Sequence, residues 1–167
     1  MQENSYLQIK DYFENLVNQS NFINDFVGFF QREWANRKSS VRGLQEPVLS
    51  LWKYEMGFDG QEQNTIAVRK LGFAIMYNKI KPDDLQGQYN AINNAEQLAI
   101  KVLSRIKFDS SQRDHFLFNS FIKDSVTITE VELSGNEFGV DVTFNLKNKQ
   151  LLQLNPDDWQ DVDSVCP

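Results

Sequence analysis

Few side chains in this chain of 167 residues have the chemistry needed for catalysis. There is one histidine, His115, and one cysteine, Cys166. Nucleophilic catalysis needs an activated Ser or Cys beside a base, so a triad would have to form around His115. We predict instead that His115 is a hydrogen-bonded residue of a loop or strand start. Cys166, close to the end of the sequence, is too poorly positioned to hold a reacting geometry.

The acidic pairs have simpler explanations than acid–base catalysis. Asp83-Asp84 follow a proline, and aspartate side chains there accept the unpaired N–H groups of a helix start. Asp157-Asp158 are placed to begin a short helical turn that carries Trp159. The eight glycines are scattered and form no phosphate-binding loop, and a single cysteine excludes multi-cysteine metal sites. The sequence therefore predicts no catalytic residues, no cofactor and no metal, in a protein that is not an enzyme.

Composition excludes further classes of protein. The chain is 41% hydrophobic and its 13 Phe, 5 Tyr and 3 Trp are enough for the core of one domain. The formal net charge of -6 argues against a nucleic-acid or anionic-lipid surface, because both need a basic patch. The longest nearly uncharged apolar stretch, residues 71–77, is far shorter than the ~20 residues of a membrane helix. We therefore expect no membrane partner.

The acidic residues are concentrated towards the C-terminus. From residue 150 onward there are four Asp and no Lys or Arg, which predicts a single domain over 1–149 followed by an acidic extension over 150–167. The extension also carries Leu151, Leu152, Leu154 and Trp159. Two interpretations remain open: these side chains fold back over an edge of the sheet, or they dock onto a partner with Trp159 as the anchor.

Apolar spacing predicts three helices. Residues 6–17 carry apolar side chains at three- and four-residue intervals after a possible Ser5 cap. A second stripe runs from Phe22 to Trp34, and the cations that follow it, up to Lys38, are typical of a helix C-terminus. The longest stripe extends from Leu85 to about Phe108.

The remaining segments alternate as strands do. Val48, Trp52, Tyr54, Met56 and Phe58 are predicted to share one face of a strand that returns over 66–77 after a turn. A change of apolar parity predicts a bulge near residues 69–70. Residues 126–133 and 138–146 form a second such pair. The expected fold is α+β: an antiparallel sheet of two hairpins, a long helix packed across it, and N-terminal helices.

With the elements in this order, the chain resembles the tail terminator and neck (head-tail connector) proteins of long-tailed bacteriophages. The resemblance covers most of the chain and includes an aromatic-rich N-terminal helix and a trailing Trp159. None of its sequence runs is a signature motif. They are PVLSLWKYE at 47–55, LGFAIM at 71–76, PDD at 82–84, LSRIKFD at 103–109 and FGVDVTF at 138–144.

The resemblance implies a virion structural protein without catalysis, assembled in the bacterial host cytoplasm. Such proteins form a ring, usually a hexamer, that caps the tail tube and contacts both the tube protein and the head-side connector or neck proteins. DNA passes through the lumen without specific binding, which agrees with the acidic composition. The cap of a contractile injection apparatus is a related alternative. A small α+β ligand-binding or enzyme domain with a pocket between helix and sheet, and an interaction adaptor, are others.

The first hairpin and the extension supply the candidate interface. An arm-like hairpin over 48–77 can extend a sheet across a subunit boundary through main-chain hydrogen bonds, and head-to-tail contacts of that kind close into rings. The predicted interface residues are Trp52, Tyr54 and Phe58 in the hairpin, and Leu151, Leu152, Leu154 and Trp159 in the extension.

Overall fold

A computed structural model describes residues 5–61, 64–133, 136–150 and 152–161. The fold is α+β, with three α-helices and a five-stranded sheet in the described part of the chain. The elements are α1 (Tyr6–Gln19), β1 (Asp25–Val27), α2 (Gln31–Lys38), β2 (Val48–Gln61), β3 (Asn64–Tyr77), α3 (Leu85–Ser111), β4 (Phe121–Leu133), β5 (Glu137–Lys149) and a 3-10 turn (Pro156–Asp158).

The sheet is mixed rather than purely antiparallel. Its strand order is β1-β2-β3-β5-β4, and the pairs β2/β3, β3/β5 and β4/β5 are all antiparallel. The short β1 pairs parallel with the first residues of β2. The four long strands therefore alternate in direction across the sheet, and the prediction of a wholly antiparallel sheet is wrong only for β1.

The predicted helix from Phe22 to Lys38 is interrupted in the structure. Only α2 is helical, and the segment before it forms β1. Phe26 packs into the main core, whereas its neighbour Val27 is buried in a separate cluster with Leu44 and Val48. Side chains that point alternately to two apolar environments require the two-residue period of a strand, which overrides the helical spacing of the aromatics.

The main core lies on one face of the sheet, which we call the inner face. α1 and α3 cover this face, with Phe13 of α1 packing against Phe73 of β3 and Phe144 of β5 at ring-centroid distances of 5.7 and 6.5 Å. The prediction of a long helix is confirmed. Its start is capped by Asp84, whose side chain accepts the Gly87 N–H at 2.9 Å.

The predicted bulge lies on the other strand of its pair. β3 pairs regularly through residues 69–70, and the register shifts instead between Leu51 and Lys53 of β2. Trp52 is the extra residue, so the side chains of β2 change faces there. The prediction of one shared face is therefore wrong: Val48 and Trp52 lie on the outer face, and Tyr54, Met56 and Phe58 follow the inner one.

The strand pair β2/β3 is not a free arm. β3 pairs with β5 along residues 66–77, so it is a central strand with partners on both sides. The connection between the two strands falls partly on residues 62–63, outside the described residues. Among the helices of the described part of the chain, none is long and apolar enough to cross a membrane.

Buried ion pairs hold α2 against the outer face. The helix buries no residue of its own. Its Lys38 Nζ lies 2.8 Å from the carboxylate of Glu137, which also accepts a hydrogen bond from Trp34 Nε1 at 3.3 Å. Arg37 pairs in the same way with the carboxylate of Asp25. Both carboxylates are buried, so these cations neutralise charges that the sheet could not otherwise hold away from water.

Candidate functional site

One side of β2 is open for most of its length. β1 pairs only with residues 48–50 of β2, and within the described residues no strand pairs with this side of residues 51–61. We call this unpaired side the β2 edge. A long edge strand presents a row of free N–H and C=O groups that readily pair with another chain. It is the feature of the fold best suited to binding a further strand.

Trp52 lies on the outer face beside this edge. Its indole packs directly on Gly72, where an added Cβ would lie 2.8 Å from the ring. The side chain is 46% exposed, although a tryptophan usually gains much of its stabilisation from burial. Trp52 therefore offers a half-covered aromatic surface next to the unpaired strand, and its interface role stays a prediction.

Tyr54 is committed to contacts within the chain. Its ring lies edge-on to Tyr6 at 4.9 Å and to Phe29 at 6.0 Å between centroids. Its hydroxyl accepts a hydrogen bond from Arg69 Nε at 3.2 Å. The structure thus places this predicted interface residue in an aromatic cluster that joins α1 to β2. Tyr54 therefore helps to position β2, whereas Met56 and Phe58 on the same face remain half exposed.

Phe58 and Met56 follow Tyr54 along the β2 edge and are much less covered. Their side chains are 45% and 43% exposed. They lie opposite Ala67 and Arg69 of β3, both buried. An apolar strip therefore continues beyond the core along the inner face of the free strand. Phe58 thus lies on the opposite face from Trp52, and both flank the same edge.

Residues 152–161 of the acidic extension do not cover the sheet in this structure. Its predicted interface residues Leu152, Leu154 and Trp159 are 66%, 59% and 57% exposed. Gln150 continues the sheet, with its N–H bonded to the Thr65 carbonyl at 3.1 Å. The hydrogen bonds found within residues 152–161 are local: Asn155 caps the 3-10 turn, and the Trp159 N–H bonds to the Pro156 carbonyl. The remaining predicted residue, Leu151, lies outside the described residues. Of the two earlier interpretations, the fold-back is not what the described part of the extension adopts.

A half-apolar groove lies between α2 and the outer face of the sheet. Its volume is about 460 Å³, and its walls include Trp34, Trp52, Met76, Leu133 and Asp141. Burial raises the pKa of the Asp141 carboxyl above its usual range. The groove therefore combines large apolar side chains with a carboxylate that is costly to keep ionised.

A second cavity, of about 550 Å³, lies between α1 and the end of α3 and contains a polar cluster. Asp109 is buried at its centre. Its carboxylate accepts the Tyr12 hydroxyl at 2.8 Å and Arg105 Nε at 2.9 Å. Burial and this hydrogen bond raise the pKa of Tyr12. The carboxylate is already paired twice, so the cluster is best suited to fastening α1 to α3.

His115 borders the same cavity as a hydrogen-bonded loop residue. Its Nδ1 accepts the N–H of Leu117 at 3.2 Å, and its ring lies 5.6 Å from that of Tyr12 in an edge-on arrangement. Sequence analysis did not connect Tyr12, Asp109 and His115. The i,i+4 spacing of Arg105 and Asp109 on one helix was the available signal.

We expect Tyr12→Phe to lower the free energy of unfolding by about 2 kcal/mol, because it removes a hydrogen bond to a buried, charged acceptor. Urea denaturation at pH 7 followed by circular dichroism measures the loss. Tyr89→Phe is the matched control, since Tyr89 is 70% exposed, and it should leave stability unchanged. Equal stability of the Tyr12→Phe variant and the wild type would contradict this role.

The stability advantage of the wild type over the Tyr12→Phe variant should also depend on alkaline pH. The pKa of Tyr12 is raised in the folded state, so above pH ~10 the unfolded chain loses this proton while the folded chain keeps it. The contribution of Tyr12 is therefore complete below pH ~10 and is lost as pH rises further. Denaturation curves from pH 9 to 11 should show the advantage of the wild type over Tyr12→Phe shrinking.

Comparisons with known proteins assign no family. No protein-family model matches the chain, and no curated protein is significantly similar to it. Within the described ranges, no three or more His, Cys, Asp or Glu side chains are grouped so as to hold a metal ion. The free strand and the exposed segment after β5 are therefore the features from which a function has to be argued.

Proposed function

We propose that this protein is a structural subunit that assembles with copies of itself into a closed ring, similar to the tail terminator and neck rings of long-tailed bacteriophages. The ring would cap a tail tube, bind the head-side connector, and leave a lumen through which DNA passes. One observation carries the proposal: in the described part of the chain, no further strand pairs with β4 or with residues 51–61 of β2, so the sheet has two long edges on opposite sides.

The direction of the strands favours joining these two edges. β2, β3, β5 and β4 alternate in direction, so β2 and β4 run in opposite senses. When the next copy keeps the same orientation, its β4 runs antiparallel to the first copy's β2. The sheet then continues across the boundary without a change of pattern. Such a contact is head-to-tail and closes into a ring when the rotation per subunit allows it.

The side chains along the β2 edge support the same conclusion. Free-standing edge strands are usually protected by lysines, prolines or a covering element. Here the half-exposed Trp52, Met56 and Phe58 flank an edge with which no described strand pairs over residues 51–61. Pairing with another subunit would bury them. A formal net charge of -6 also suits a wall past which DNA must slide.

The mass of the purified protein in solution tests the proposal. Native mass spectrometry and light scattering over a concentration series should give one closed oligomer of fixed subunit number. Its mass should not grow with concentration, because a closed ring leaves no free edge. A monomer at every concentration, or a distribution that lengthens without limit, would contradict a ring built from these two edges.

A further inference from the structure

Arg69 is a buried cation with no carboxylate partner among the described residues. It lies on the inner face of β3 and is 4% exposed. Its Nε donates to the Tyr54 hydroxyl at 3.2 Å, and its Nη1 donates to the side-chain carbonyl of Asn148. Both acceptors are neutral. Across the described residues, no Asp or Glu forms an ion pair with Arg69, and Nη2 donates to no group.

This arrangement is unusual because, among the described residues, no anion lies beside the guanidinium. Moving a guanidinium out of water is unfavourable unless an anion and further hydrogen bonds replace the lost solvation. Elsewhere the same protein pairs its buried charges, as with Asp25 and Arg37 or Glu137 and Lys38. Met56, which is flexible and half exposed, lies directly opposite Arg69 on β2.

We propose that Arg69 binds a carboxylate from the acidic extension of the neighbouring copy in the ring. Asp157, Asp158 or Asp161 would supply the carboxylate, and the exposed Leu152, Leu154 and Trp159 would pack on Met56 and Phe58. This inference rests on the ring of the proposed function and adds a second contact to it. In the chain as described, these three carboxylates form no ion pair of their own.

The geometry of the extended sheet puts the two partners within reach. β5 ends at Lys149, beside Ile66 of β3, so the extension leaves the sheet at the same end as Arg69. If the β4 edge of the next copy pairs with β2, its β5 lies three strand positions from β3, about 14 Å away. The segment 152–161 can span up to ~33 Å when extended. It is therefore long enough to cross the boundary.

The charge and the exposed apolar side chains of the acidic extension both make it a suitable partner for the surface around Arg69. From residue 150 onward the chain contains four acids and no base, so the extension matches an unpaired cation. Both surfaces also offer half-exposed apolar side chains, with Met56 and Phe58 on one and Leu152, Leu154 and Trp159 on the other. The chain's own extension lies closer, yet its residues 152–161 make only local hydrogen bonds among the described residues and leave these side chains exposed.

The first test removes each partner and measures ring stability. We expect Arg69→Gln, and separately the triple variant Asp157→Asn/Asp158→Asn/Asp161→Asn, to raise the concentration at which the ring dissociates at least ~10-fold. Combining all four changes should add little, because both variants break the same contact. The matched controls are Lys70→Gln, next to Arg69 but paired with Glu55, and Asp83→Asn, exposed in the loop before α3 and on neither edge strand.

If Arg69→Gln does not fold, the triple variant still tests the contact between Arg69 and the extension, because its three aspartates are not part of the described core. If the wild-type ring forms and the triple variant dissociates at the same concentration, the inference is wrong while the ring stands. If the wild type forms no ring at all, the proposed function fails first. Full additivity of the two sets of changes would also overturn the contact.

A cross-linking experiment distinguishes the neighbour from the chain's own extension. Cys166 is the chain's single cysteine and follows closely after Asp161. Wild-type chains are mixed with Met56→Cys/Cys166→Ser chains under mild oxidation. Disulfide-linked pairs between the two proteins are expected. If Met56→Cys chains that retain Cys166 instead close a disulfide within each chain, in preference to linking, the neighbouring copy is the wrong occupant.

Discussion

Phe58→Lys should prevent ring formation while the subunit remains folded. Phe58 is 45% exposed in the subunit, so the change removes little intramolecular packing. At a subunit boundary the same change places a charged side chain beside the pairing strand, a device by which natural proteins block edge-to-edge contacts. We expect a loss of about 2 kcal/mol per interface, or roughly a 30-fold higher dissociation concentration, repeated at every boundary of the ring.

Thr129→Lys tests the opposite edge and, together with Phe58→Lys, the direction of assembly. Thr129 is an exposed residue of β4. Each variant alone should fail to close a ring. Mixed together they should form one-to-one pairs, because Phe58→Lys chains keep an intact β4 edge and Thr129→Lys chains keep an intact β2 edge. A two-fold symmetric contact that joins like edges would produce no such complementation.

The matched control for the edge variants is Ile100→Lys. Ile100 is 44% exposed on α3, nearly the same fraction as Phe58, but lies away from either edge of the sheet. Analytical ultracentrifugation should show the wild-type oligomer for this control. If Ile100→Lys dissociates as readily as Phe58→Lys, a general loss of apolar surface explains the result and the edges are not the interface. Thermal unfolding of all three variants verifies that the subunit is intact.

Gly139→Ala should destabilise the subunit itself by about 3 kcal/mol or more. A Cβ at residue 139 would lie 1.9 Å from the carbonyl oxygen of Ile75 and 2.9 Å from its carbonyl carbon. Both atoms belong to the backbone of a central strand that is paired on both sides. Neither strand can therefore move away without breaking hydrogen bonds.

Gly57→Ala is the matched control for this substitution. Gly57 also lies within a strand, but nothing lies within 4 Å of its added Cβ. Its effect on the free energy of unfolding should stay within about 0.5 kcal/mol. Urea denaturation of both variants makes the comparison. Wild-type stability for Gly139→Ala would mean that β3 and β5 are not packed as closely as described here.

Local periodicity was enough to predict several elements. α1, with its apolar stripe and Ser5 cap, lies where the spacing places it, and Ser5 accepts the Gln8 N–H at 3.1 Å. α3 runs only a few residues past the predicted Phe108. From Val140 to Leu146, β5 alternates between buried and partly exposed side chains, as its sequence does, although its first residues are buried on both faces. In each case one face of a regular element is apolar, so the pattern of a single segment determines the element.

Other features depended on partners distant in sequence. β1 formed where a helix was predicted, because Phe26 and Val27 enter two different apolar clusters. The bulge lies at Trp52 and not at the predicted residues 69–70, because Gly72 on the neighbouring strand leaves space for the indole. The apolar spacing around Phe26 and Val27 does not reveal the second cluster. The alternation along β2 does not reveal that Gly72 lies beside Trp52.

The sequence by itself determined the class of the fold, the long helix, and the acidic, apolar character of the segment after β5. Only the tertiary structure decided which charges are buried and which are paired. Arg69 and Asp109 are both buried, yet Asp109 pairs with the cation of Arg105, whereas no carboxylate among the described residues pairs with Arg69. The pairing of a charge depends on strands and helices that meet only after folding, whereas burial of an apolar face is encoded within one segment.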